Sequence, residues 1–99
     1  MFVILTSKPG QFRTEAGDGL RVVERYDYMF YGRCLAHFEI AALEAPTRVR
    51  IVEDAPPHVV NLVPSKFLEQ FDSIAAARGE LDHLTRFGSM QAELIRREQ

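Results

Sequence analysis

The chain has 99 residues, 46% hydrophobic, 26% charged and 10% aromatic, which is the profile of one small globular domain over 1–99 and not of a disordered segment or a two-domain enzyme. Twelve Lys and Arg against fourteen Asp and Glu leave a formal net charge of −2, which disfavours a general nucleic-acid binder, since such proteins carry a basic excess. No apolar run approaches the ~20 residues of a membrane span, and the single cysteine, Cys34, excludes an intramolecular disulfide, so a reduced cytoplasmic setting is expected.

Phe2-Val3-Ile4-Leu5-Thr6 is rich in β-formers and stops at Lys8-Pro9-Gly10, where Pro presets φ and Gly supplies a positive φ. Phe12 to Glu15 reads as a short second strand and Ala16-Gly17-Asp18-Gly19 as a turn. From Leu20 to Tyr31 the chain is β-prone, with Tyr26, Tyr28 and Phe30 alternating with Asp27, Met29 and Tyr31, until Gly32 interrupts. Arg33 to Leu43 has the clearest period of two. It puts Cys34, Ala36, Phe38, Ile40 and Ala42 on a core face and His37 and Glu39 on the other. Ala and Leu also favour helices, but the strict alternation selects a strand.

Glu44 to Thr47 reads as a short loop and Arg48 to Glu53 as a strand with Val49 and Ile51 inward. A short loop predicts an antiparallel hairpin between its flanking strands, which would set His37 opposite Asp54. Ala55-Pro56-Pro57 marks a boundary. His58 to Val63 forms a further candidate strand, and Pro64 can open a helical turn over Ser65 to Phe71. Asp72-Ser73 is a candidate N-cap. A helix over about residues 73–87 follows from the stripe Ile74, Ala77, Leu81 and Leu84. Gly79 weakens it and Gly88 is a suitable terminator. Met90 to Arg97 reads as a last strand with Met90, Ala92 and Leu94 on one side. The sum is an α+β fold: a small, mostly antiparallel sheet with one main helix packed on one face. An exposed last strand would favour a symmetric dimer.

Chemistry-bearing motifs are sparse. Cys34-x-x-His37 looks like half a metal site, but in a regular strand the two residues point to opposite faces, and His58 and His83 match no ligand spacing. The expectation is a buried thiol, a surface-facing histidine, no metal and no cofactor. Alignment of Cys34 with Ala36, Phe38 and Ile40 predicts core packing and not a nucleophile. Gly17-Asp18-Gly19 lacks the third glycine of a dinucleotide loop. Asn61, Ser65 and Lys66 form a polar cluster that could hold an anion, although an N-cap and a solvated lysine explain it as well.

The most unusual stretch is Arg25-Tyr26-Asp27-Tyr28-Met29-Phe30-Tyr31-Gly32-Arg33. Tyr, Phe, Met and Arg are enriched at protein interfaces. Tyr26, Tyr28, Phe30, Tyr31 and Arg33, with His37 and Lys66, are therefore the candidate interface or ligand-binding residues. The function expected from these features is a non-catalytic interaction module: an auxiliary subunit or small homodimeric partner of a larger cytoplasmic enzyme assembly. The alternative is a small ligand-binding domain or enzyme. Its apolar, aromatic pocket would lie between sheet and helix, lined by Tyr26, Tyr28 and Phe30, with His37, His58 or Lys66 as the polar group.

Overall fold

Alternating and β-branched segments dominate the sequence, and strands dominate the fold. The computed structural model describes residues 1–85 and 92–97. In chain order the elements are β1 (Phe2–Ser7), β2 (Phe12–Glu15), β3 (Leu20–Phe30), β4 (Arg33–Leu43), β5 (Arg48–Glu53), β6 (Val60–Pro64), a 3₁₀ turn (Ser65–Phe67), α1 (Ile74–Thr85) and β7 (Ala92–Arg97). Among the described residues all strand pairings are antiparallel. They form a four-stranded sheet in the order β1-β4-β3-β7 and a three-stranded sheet in the order β2-β5-β6. The chain is an α+β fold. No helix among the described residues is long and apolar enough to cross a membrane.

The alternation in β4 builds two cores. Ala36, Phe38 and Ile40 pack against Ala77 and Leu81 of α1, flanked by Phe2, Ile4, Tyr26, Tyr28 and Phe71. Ala41 points the other way and joins Val3, Leu5 and Val49 of β5, flanked by Leu20, Val22, Val63 and Leu68. The helix therefore covers one face of the large sheet and the small sheet covers part of the other. Ala77 and Leu81 are fully buried, whereas Leu84, at the end of the expected stripe, is half exposed. Ser73 Oγ accepts the backbone N–H of Ala76 at 3.0 Å, which is the expected N-cap. Within the described residues α1 ends at Thr85; Gly88 and Met90 lie outside them.

The hairpin expected across Glu44–Thr47 does not form. β4 is already bonded to β1 on one side and β3 on the other, so no edge remains for β5. The loop instead carries the chain from one sheet to the other, where β5 pairs with β2 and β6. Gly19 permits this crossing, because its φ of +90° is left-handed and a Cβ there would stand 2.8 Å from the Ala45 carbonyl oxygen. Further along, β6 starts at Val60 rather than His58, and only Ser65–Phe67 of the expected helical turn is helical. The β3–β4 turn is tight. Tyr31 (φ 51°) and Gly32 (φ 72°) both adopt positive φ, as a two-residue hairpin loop of the primed type requires.

Two register shifts break the β3–β4 ladder, between Val22 and Glu24 and between Tyr28 and Met29. At the second, Tyr28 faces Ala36 while Met29 faces Cys34, so Leu35 is an extra residue on β4. A bulge of this kind changes which face the residues beyond it present.

Candidate functional site

The bulge at Leu35 overturns the parity argument for Cys34 and His37. Register partners on adjacent strands share a face. Asp27 pairs with His37 and Met29 with Cys34, so all four lie on the face opposite α1. Cys34 leaves the line of Ala36, Phe38 and Ile40 and is half-buried, not in the core. His37 does not meet Asp54; its Nδ1 donates to Asp27 Oδ1 at 2.6 Å. Cys34 Sγ lies 3.7 Å from His37 Nε2 and 3.8 Å from Nδ1. Near-equal distances place the sulfur midway between the two nitrogens and off the line of either nitrogen lone pair.

The surroundings are charged. Arg25 Nε donates to Glu39 Oε2 at 2.8 Å. Arg97 Nε stands 3.6 Å from Asp27 Oδ2. A shallow hollow of about 200 Å³ beside the cluster is lined by Ser7, Arg13, Arg25, His37, Glu39 and Arg97. Asp27, Cys34 and His37 are each half-buried, and a carboxylate oxygen, a thiol sulfur and an imidazole nitrogen from them lie within 4.8 Å of one another.

Three residues away along β3 the opposite face carries a different cluster. Glu24 is only 4% exposed. Its carboxylate accepts Tyr26 Oη–H at 2.6 Å and Arg78 Nε–H at 2.8 Å, a second Arg78 nitrogen binds its other oxygen, and Arg96 Nη2 lies 3.3 Å away. The bond from Arg78 is the largest influence holding the Glu24 carboxyl at about 2, against an ordinary value of 4.5; burial opposes it, and Tyr26 and Arg96 assist. The same contact pushes the Arg78 guanidinium further up. Burial, with the Glu24 bond second, raises the Tyr26 phenol. One carboxylate thus clasps β3, α1 and β7. Among the described residues no buried side-chain polar atom lacks a partner. This cluster was not anticipated from the sequence. Its signal was Glu24 itself, a carboxylate in phase with Tyr26, Tyr28 and Phe30 on an otherwise inward face.

The seven residues singled out in the sequence do not converge. Tyr26 and Tyr28 pack against the core on the helix side. Phe30 is half-buried and meets Tyr31 edge-on at 4.5 Å. Tyr31 and Arg33 are exposed around the hairpin turn, His37 is on the opposite face, and Lys66 lies beyond β6 with its Nζ 5.2 Å from the Phe67 ring centroid. Within the polar segment near Lys66, Ser65 is engaged with the chain itself: its Oγ accepts the Thr47 N–H at 3.1 Å and its N–H donates to the Thr47 carbonyl at 2.8 Å.

Other surfaces are open. Among the described residues no strand pairs with the outer edge of β6. Val60 and Leu62 on β6 are exposed, with Val59 and Phe67 beside them. The opposite edge strand of that sheet, β2, carries Arg13 and Glu15, which pair at 3.2 Å, and Glu15 reaches Arg50 on the adjacent β5 at 3.1 Å. Between the large sheet and the end of α1 lies a cavity of about 520 Å³, lined by Thr6, Tyr28, Ala36, Phe38 and Leu84 among others. Comparison of the chain with protein-family models, with curated proteins and with solved structures found no match.

Proposed function

We propose that this chain is a non-catalytic interaction module, an auxiliary subunit or small homodimeric partner of a larger enzyme assembly in the cytoplasm. The observation that carries the reading is the asymmetry of the small sheet. Its β2 edge is covered by β1, where Thr14 N–H donates to Ser7 Oγ at 2.8 Å and Thr14 Oγ1 donates to the Thr6 carbonyl, and β2 also carries the charges of Arg13 and Glu15. Its β6 edge exposes Val60 and Leu62 with no charged residue between them, next to Phe67 at 70% exposure. An unpaired, apolar edge offers backbone hydrogen bonds and hydrophobic area at once, which suits strand addition by a second β6 or by an edge strand of a partner. The lone thiol Cys34 fits a reducing compartment.

Sedimentation equilibrium of the full chain beside Leu62→Lys, with affinity capture from native cells, tests the reading. Self-association or a stoichiometric partner, either one lost in Leu62→Lys, is the expected result. A wild-type chain that is monomeric and partnerless, or an association that Leu62→Lys leaves intact, would refute it.

The 520 Å³ cavity favours a second reading, a binding site for a small apolar ligand. Its volume and its aromatic and aliphatic lining fall in the range of ligand pockets, about 300–1,000 Å³. Tyr28 is the one residue it shares with the pocket expected from sequence. Fluorescence enhancement of a polarity-sensitive naphthalene dye, abolished by Leu84→Arg, would support this reading; an unchanged signal in Leu84→Arg would remove it.

A further inference from the structure

We propose that Cys34 and His37 bind a borderline-soft divalent cation of the zinc class, with Asp27 holding the imidazole from behind. The donor set is the first argument. A thiolate and an imidazole select zinc-like ions over magnesium or calcium, which take oxygen. Asp27, Cys34 and His37 each bring one ligand atom, all within 4.8 Å of one another.

The second argument is how they come together. Were Leu35 a regular strand residue paired across the ladder, Cys34 would lie with Ala36 on the helix side and could not reach His37. The bulge moves the thiol to the imidazole face, and bulges are the usual means of re-aiming a side chain beside a site.

The third is the hydrogen bond from Nδ1 to Asp27. At 2.6 Å these two atoms are too close for both to ligate one ion. The bond instead fixes the tautomer with Nε2 unprotonated and oriented, which is the carboxylate–histidine–metal arrangement of many zinc sites. Nε2 and Sγ are 3.7 Å apart. Two donors on a tetrahedral zinc, with bonds of about 2.0 and 2.3 Å, stand roughly 3.5 Å apart. The spacing is therefore close to that of two ligands, and what has to change is direction: the sulfur must swing from its position midway between the two nitrogens to the Nε2 side. Half-exposure of both side chains leaves room for that rotation. The remaining positions on the ion face solvent and take water or an external ligand.

Cobalt(II) titration of the reduced full chain tests the site, since a thiolate-to-cobalt charge-transfer band reports sulfur ligation directly. A band saturating at one equivalent is expected, displaced by zinc. It should be absent in Cys34→Ser and lost or shifted in His37→Ala, while Asp27→Asn should weaken binding about 10–100-fold with the band retained. Circular dichroism of each variant confirms that the fold persists. A wild-type chain without the band would overturn the proposal. So would a band of unchanged affinity in His37→Ala, which would mean that the thiol binds cobalt alone, or unchanged affinity in Asp27→Asn, which would remove the positioning carboxylate.

Discussion

Glu24 and Asp27 stand three residues apart on β3, and each is a carboxylate beside a β-bulge, yet they have opposite properties. Glu24 faces α1, is almost wholly buried, and has every oxygen engaged by Arg78, Arg96 or Tyr26. Asp27 faces away from α1, remains a quarter exposed at its side chain, and holds one imidazole firmly and one arginine loosely. The first arrangement has no capacity left for another ligand. The second leaves Cys34 and His37 half-buried beside it, with the thiol making only long contacts, to the Ala36 carbonyl at 3.5 Å and to the imidazole at 3.7 Å. Completeness of hydrogen bonding, and not the presence of charge, separates a structural cluster from a chemically available one.

The comparison can be broken most forcefully at Glu24. Glu24→Gln keeps the shape but removes the charge that both arginines face. It should cost about 2–3 kcal/mol at neutral pH, the magnitude set by a buried carboxyl held well below its ordinary value. Urea unfolding monitored by circular dichroism measures it, and a loss under about 0.5 kcal/mol would show that the clasp contributes little.

Acid sharpens the same contrast. The folded-state value of Glu24 is depressed, so its stabilisation is complete above the ordinary carboxyl value of 4.5 and is lost as pH falls from there towards about 2. Stability of the wild-type chain should decline across that window, and the decline should be shallower in Glu24→Gln. Parallel curves for the two proteins would assign the acid sensitivity elsewhere.

The smallest effect is expected on the other face. Asp27→Asn breaks a partly exposed pair and should change stability by less than about 1 kcal/mol. The same urea experiment checks it, and a cost as large as that of Glu24→Gln would make the Asp27 cluster structural too.

Much of the fold was legible in the sequence. β2, β4 and β5 occupy the expected ranges, and Ala77 and Leu81 bury the stripe that predicted α1. Periodicity reads these because each residue's face follows from its neighbours. Two things were not legible. Pairing partners depend on which edges are already taken, so the Glu44–Thr47 loop reads as a hairpin in the sequence, whereas β1 and β3 flank β4 and leave it no free edge. A bulge adds one residue without a sequence mark of its own, so the parity count from Ala36 to Cys34 was inverted and the candidate site disappeared with it. Leu35 is an ordinary strand residue, and its being supernumerary is a property of the pairing with β3.

The turn at Tyr31 and Gly32 also bears on how the molecule assembles. It joins the two longest strands through two residues, so among the described residues their ladder closes the shortest loop of any extensive pairing. Loop closure is the entropic toll on early contacts, and hairpins with such turns form within microseconds. A β3–β4 ribbon is therefore the expected nucleus, onto which β1 adds along β4 and β7 along β3. On such a route Asp27, Cys34 and His37 meet at the first step, before either core exists, while Glu24 waits in water for Arg78 and Arg96 to arrive from 54 and 72 residues further along the chain.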